Sequence, residues 1–424
     1  MMKKAFIQYT ALFAAVVLIG LAMLYTVGLL PQEKVHHNIA LSAAQFEVEG
    51  DYPWILNSWN ETYKLDAFSE SLIINHAYYM DTRESPLSVI ENLHFRNGKH
   101  PVQCLLELAE RPDAPGNSDR ARYWLGFRAY VRPLLSVMPY QDIRGVISIV
   151  FFFLLTAAVL ALKARAGTAS AVCLALSVIA MNPVIVSTSL QYSICFLIAF
   201  VGVWLVCRRE WNNRSLGGLF MVLGQATMFF DFYTSPLITW GMPLVALMSI
   251  QRVQRKTDSK HLLKQLGFTL LMWGIGYAGM WVLKMILNTL LTEKNGFEVL
   301  KQFLYYTGFS EIPEDVEVFT PWQALFVCLK KVLTVQNRFM LCVAGIPALA
   351  VYYVRMKRRG SVRLADRGIW VYALAAFVPV LWLFCSRQAS GVHAYFQYRT
   401  LAAAVYAGLC FVMQLLEPVP QKAN

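Results

Sequence analysis

The stretch Ala5-Phe-Ile-Gln-Tyr-Thr-Ala-Leu-Phe-Ala-Ala-Val-Val-Leu-Ile-Gly-Leu-Ala-Met-Leu-Tyr-Thr-Val-Gly-Leu-Leu30 carries no charged side chain, and Lys3-Lys4 stand before it. At about 1.5 Å per residue it can cross an apolar core of about 30 Å, and it exceeds the apolar region of a signal peptide. Residues 1–30 are therefore expected to form an uncleaved first transmembrane helix with its amino terminus inside. Cleavage after Ala14 or Ala15 is the alternative.

Outward from this run the pattern repeats at about 144–162, 168–187, 190–207, 215–231, 235–250, 266–290, 337–354, 369–386 and 398–416. The expectation is an all-α polytopic membrane protein of about ten transmembrane helices. Basic residues cluster in alternate connections, at Lys163/Arg165, Arg208/Arg209/Arg214, Arg252 to Lys264 and Arg355 to Arg367. The connections at Ser187–Ser189 and Tyr233–Ser235 have none. Lysine and arginine accumulate on the cytoplasmic side, so both termini are expected to be cytoplasmic, in a bacterial inner membrane. The run 235–250 contains Gly241 and Pro243 and reads as broken or partly re-entrant.

The composition agrees: 57% hydrophobic and 15% charged residues, with a mean hydropathy of +0.45. The net charge of +12 lies at the ends of apolar runs, where it anchors helices, and no nucleic-acid partner is implied. Residues 31–142 form the main polar segment, rich in acids and aromatics, expected to be a mostly helical external domain between the first two spans. Within it, Arg122 to Leu135 reads as an interfacial amphipathic helix. Residues 143–290 hold helices two to seven. Residues 291–336 form a second external loop with an amphipathic helix from Ala324 to Val335. Residues 337–424 hold the last three spans and a short cytoplasmic tail.

Candidate chemistry concentrates in the polar parts. Asp66 and Glu70 stand four residues apart, on one face of any helix that contains them. They read either as a general base and its partner, with or without a divalent metal such as Mg or Mn, or as a helix cap and a first-turn acid. Asp51, between Gly50 and Tyr52-Pro53, is a rival base or a turn residue. Asp231 ends an apolar run, where a carboxylate faces protein, water or ligand. Arg122, Arg128, Arg132, His393 and Arg399 suit a lipid phosphate or, equally, snorkelling at the interface. Lys284, inside an apolar run, reaches the interface by snorkelling. There is no phosphate-loop, dinucleotide, HExxH or GxSxG motif, which disfavours the familiar ATPases, Rossmann enzymes, zincins and lipases.

This arrangement resembles the polytopic membrane glycosyltransferases of the GT-C superfamily, and more closely their uncharacterised bacterial multi-span members. What carries the resemblance is the large first external loop with Asp51, Asp66 and Glu70, its interfacial helix, and two rim segments. These are Asp231-Phe-Tyr-Thr-Ser-Pro-Leu237 and His393-Ala-Tyr-Phe-Gln-Tyr-Arg399. The adjacent acidic pair of many members is not present. The resemblance implies transfer of a sugar from a polyprenyl-phosphate donor to a glycan, lipid or protein acceptor at the outer membrane face. Asp66 or Asp51 would then be the base, and Glu70 or Asp231 would position the acceptor or a metal. Arg122, Arg128, Arg132, His393 and Arg399 would hold the donor phosphate. A transporter or flippase of lipid-linked glycans, or a non-catalytic envelope-assembly subunit, is the alternative.

Overall fold

The computed structural model describes residues 2–55, 60–254, 258–292, 317–334 and 367–416, with isolated positions between 294 and 354. Among the described residues the protein is all-α apart from one antiparallel pair of two-residue strands, β1 (Leu93–His94) and β2 (Ser118–Asp119). Among the described residues six helices are long and apolar enough to cross a membrane. They begin at Lys3, Tyr140, Leu190, Ser259, Gly368 and Ala394. Large apolar side chains on their outer faces, such as Leu18, Ile149, Phe153, Leu271 and Leu290, stay open. A water-soluble fold would bury such stripes, and lipid is their matching solvent.

The count of six corrects the expected ten, and the reasons are local. The runs 144–162 and 168–187 fall largely in α7 (Tyr140–Ile179), which counts as one long helix but is two stretches divided at Gly167, whose φ of 85° breaks the helical path between the two expected runs. That left-handed value suits glycine because it has no Cβ. The run 215–231 becomes α10 (Asn213–Phe230), which carries Arg214 and Gln225. The run 235–250 becomes α11 (Ile238–Val253), 16 residues long and continuous through Pro243. Residues Ile238 to Ile250 of α11 are all buried, so this helix is the centre of the bundle and not a lipid-facing or re-entrant segment. The run 337–354 lies almost wholly outside the described residues.

The bundle packs α11 against α9 (Leu190–Arg208) and against the helix Ala402–Leu416, in one apolar core. Alongside it α10 and α12 (Ser259–Leu291) approach very closely. Gly224 and Gly276 make this possible, because a Cβ on either would strike the other helix's backbone. The polar segment folds into its own core from α2 (Gln32–Glu49), α3 (Ala67–Tyr78), α5 (Pro101–Glu110) and α6 (Arg128–Leu135). A third cluster, with Leu24, Trp124, Phe229 and Met280, joins that domain to α1 (Met2–Gly28), α10 and α12. The second amphipathic segment is the helix Pro321–Val332, closed at its start by a capping box between Thr320 and Gln323. Its Lys331 pairs with Glu61 of the polar domain.

Two expectations for the polar segment change. The helix expected from Arg122 to Leu135 starts only at Arg128. Its two arginines are buried, at 1% and 0% exposure, so it does not float at an interface. Lys284 does not snorkel to water, since its ammonium donates to the Ile90 carbonyl and lies over the Trp124 ring.

Candidate functional site

Where the polar domain meets the bundle, the two leave a cavity of about 570 Å³ between them. The polar domain contributes Tyr52, the first turns of α3 and Arg120 to Tyr123. The bundle contributes the loop after α10, the middle of α12 and the segment from Ala389 to Gln397. Aromatic rings form most of the wall, among them Tyr123, Phe232, Tyr233, Tyr277, Trp281 and Trp382. Tyr233 holds a left-handed φ of 68°, and its carbonyl accepts the Gln397 Nε2 at 2.5 Å. A non-glycine residue in that region stores strain, which concentrates at functional sites.

The polar groups in this apolar wall are few. Asp231 caps the end of α10, is 5% exposed, and accepts the Thr234 amide at 2.9 Å and the Thr234 hydroxyl. Burial pushes its carboxyl up to about 6 against these hydrogen bonds, which lower it. Gln191 and Gln397 are 4% and 1% exposed, and their Oε1 atoms have no hydrogen-bond partner among the described residues. His393 stacks on Phe396 with centroids 5.2 Å apart, and its Nδ1 is likewise buried without a partner among them. Burial pushes its imidazole down to about 4, so it is neutral at pH 7. Arg120 and Arg122 supply positive charge, with the Arg122 guanidinium 4.8 Å from the Tyr123 ring centre. The cavity thus offers hydroxyl acceptors, one carboxylate, two cations and flat apolar faces, as orientation-fixing ligand pockets do.

The structure divides the expected site residues. Asp231, Arg122 and His393 come together in this cavity. Asp66 stands just behind its wall. Its side chain caps α3 through the Ser69 amide and hydroxyl, both at 2.8 Å, and accepts the Tyr395 hydroxyl at 3.0 Å. Burial raises its carboxyl. Glu70 points elsewhere: it accepts the Ser189 hydroxyl at 2.6 Å and the Gln191 amide at 2.9 Å, closing the start of α9. Burial pushes Glu70 up to about 7, and the donors of α9 lower it. The i,i+4 pair therefore does not serve one site. Asp51 pairs with His100 at 3.1 Å, outside the cavity lining.

Three of the expected phosphate-binding arginines bind backbone. Arg128 donates to the carbonyls of Ser88 at 3.1 Å and Val89 at 2.8 Å. Arg132 donates to those of Ala77 and Tyr78, both at 2.7 Å, and of Leu30 at 2.8 Å. Burial lowers these guanidiniums to about 9 and about 10, still charged at pH 7. Arg399 reaches the carbonyls of Tyr395 and Thr62 and lies 4.1 Å from the Tyr192 ring centre. None of the three lines the cavity.

Sequence reading missed Arg120, Gln191 and Gln397. Arg120 belongs to no motif, Gln191 is a glutamine inside an apolar run, and Gln397 was quoted only as part of the rim segment His393 to Arg399. Among the described residues no three His, Cys, Asp or Glu side chains converge on one point. Asp231 alone is a poor donor set for Mg or Mn, which need several oxygen ligands. No family model, curated protein or solved structure matches the chain.

Proposed function

We propose that the protein is a membrane glycosyltransferase that moves a sugar from a polyprenyl-phosphate donor to a glycan, lipid or protein acceptor. In this reading the polar domain faces outward from a bacterial inner membrane and both termini are cytoplasmic. The observation that carries the proposal is an aromatic cavity that brings together a buried carboxylate, Asp231, two arginines, Arg120 and Arg122, and the side chains of Gln191 and Gln397. A sugar fits such a wall, because its hydroxyls bond to polar side chains while its C–H faces stack on rings.

The chemistry follows from the residue types. Arg120 and Arg122 hold the donor phosphate, and Gln191 and Gln397 accept sugar hydroxyls. Asp231 takes the proton of the acceptor hydroxyl as that oxygen bonds to the anomeric carbon. The bond from that carbon to the phosphate oxygen breaks, its electron pair stays on the phosphate, and the arginines stabilise the charge. Asp66 acts through Tyr395, holding that ring in the wall. The lipid tail of the donor lies against the bilayer, which explains a site at the junction of a polar domain and an apolar bundle. No step is routed through a metal.

The test supplies the full-length protein in nanodiscs with a panel of labelled polyprenyl-phosphate sugars and measures polyprenyl phosphate released. Asp231→Asn keeps the capping oxygen and removes the base, and transfer falls about 10³-fold. In the parent protein kcat/KM declines below a pH of about 6, because the base is deprotonated above that value. The decline is missing in the variant. Turnover of Asp231→Asn at the parent rate would sink this assignment, and movement of labelled lipid across the bilayer without phosphate release would make the protein a flippase.

A further inference from the structure

A groove of about 430 Å³ lies at the end of the bundle away from the polar domain, between the start of α1 and the start of α10. Gln8 and Leu12 of α1 form one bank, and Gly218, Leu219 and Val222 of α10 form the other. The connection from α9 adds Arg209 and Trp211, and the first turn of α10 adds Arg214. The groove is remote from the cavity, which α10 reaches only at its far end.

Local contacts hold this shape. The Arg214 guanidinium donates to the Lys4 carbonyl at 3.0 Å, and the Tyr9 hydroxyl donates to the Arg214 carbonyl at 3.0 Å. The two helix starts are therefore tied together along the groove. The Arg209 guanidinium lies over the Trp211 ring, 4.0 Å from its centre, which fixes the second cation. Gly218 keeps the floor deep, because a Cβ there would stand 3.1 Å from the Leu12 side chain. Among the described residues no acid lines the groove, and neither arginine takes part in a salt bridge.

The chemistry selects the occupant. Both arginines are exposed, and arginine forks match the oxygens of a phosphate. A soluble anion would leave the apolar floor uncovered. That floor runs on along a spanning helix: Gln8, Leu12, Ala15 and Ile19 share one face of α1, and Ala15 and Ile19 are open where lipid surrounds the span. The fitting molecule thus joins an anionic head to apolar chains, and basic pockets between helices hold such heads at the membrane surface. A zwitterionic head fits less well, since its ammonium would find no carboxylate here and Arg209 already covers the Trp211 face.

We infer that this groove binds one anionic phospholipid of the leaflet opposite the polar domain. Its phosphate lies between Arg209 and Arg214, and its chains cross Leu12 and Val222 to follow the open face of α1. The site is independent of the glycosyltransferase reading.

The experiment reconstitutes the full-length protein in liposomes of equal phosphatidylglycerol and phosphatidylcholine, extracts it in mild detergent, and reads retained lipid by native mass spectrometry. Phosphatidylglycerol is expected to be retained over phosphatidylcholine by about tenfold, and Arg209→Gln/Arg214→Gln to abolish that preference. Lys260→Gln/Lys264→Gln removes the same charge from two exposed positions at the start of α12, outside the groove, and is expected to keep it. Val222→Trp leaves the charge unchanged and fills the floor, so it is expected to lose the retained lipid. If the arginine pair proves necessary for folding, this variant decides alone. Equal retention of the two lipids by the parent, or equal loss in the lysine variant, would overturn the inference. So would full retention in Val222→Trp.

Discussion

At the junction of polar domain and bundle, Arg132 gives its guanidinium to three carbonyls, Arg128 is likewise committed to backbone, and Glu70 accepts the first amides of α9. In the cavity beside it, Gln191, Gln397 and His393 are buried with polar atoms that have no partner among the described residues. The contrast separates two uses of the same chemistry. A buried charge that ends on backbone ties elements together, and the low dielectric makes the tie costly to cut. A buried polar atom left open is a standing cost that a ligand can remove. Gln191 belongs to both regions, since its amide closes the Glu70 cap while its side chain faces the cavity. The junction thus positions the site directly.

The sharpest way to break this comparison is to cut the junction. Arg132→Met leaves three carbonyls without their donor, at the end of α1 and the end of α3, and is expected to cost about 3–5 kcal/mol of stability. A denaturation midpoint equal to that of the parent would show that these contacts do not hold the domain. Next in size, Arg122→Gln is expected to raise the donor KM about tenfold, roughly 1.4 kcal/mol, with the unfolding midpoint unchanged. A lowered midpoint with unchanged KM would move Arg122 from the cavity class to the junction class. The smallest effect is expected at Asp66. Asp66→Ala removes a helix cap and should cost about 1 kcal/mol while transfer stays within a fewfold of the parent. Loss of transfer in Asp66→Asn, which keeps a capping oxygen, would transfer the role of base from Asp231 to Asp66.

Much of the architecture was legible because hydrophobic runs declare themselves. A segment such as Ala5 to Leu30 cannot be satisfied in water, whatever its neighbours do. Runs that were read as spans but fall short of the length or composition of a spanning helix show the limit. Hydropathy registers how apolar α11 is but not whether lipid or protein surrounds it, and its thirteen consecutive buried residues place it inside the bundle. The break in α7 at Gly167, with its φ of 85°, falls between the two runs that hydropathy had separated. For Asp66, the cap reading drawn from its position before Ala67 is the one its hydrogen bonds adopt.

What the sequence by itself determined is the class of solvent each stretch requires: apolar helices for a membrane, a polar domain between the first two, and caps where short side chains precede a helix. These are local properties, set by side-chain transfer energies and by hydrogen bonds spanning three or four residues. Only the tertiary structure decided which charges are spent. Asp66 and Glu70 are four residues apart on one helix, yet one turns to Tyr395 and the other to Ser189. Asp231, Arg122 and Gln397, distant along the chain, share one cavity. The reason is physical: a buried polar group is satisfied by whatever the fold brings within about 3 Å of it, and spacing along the chain does not specify that partner.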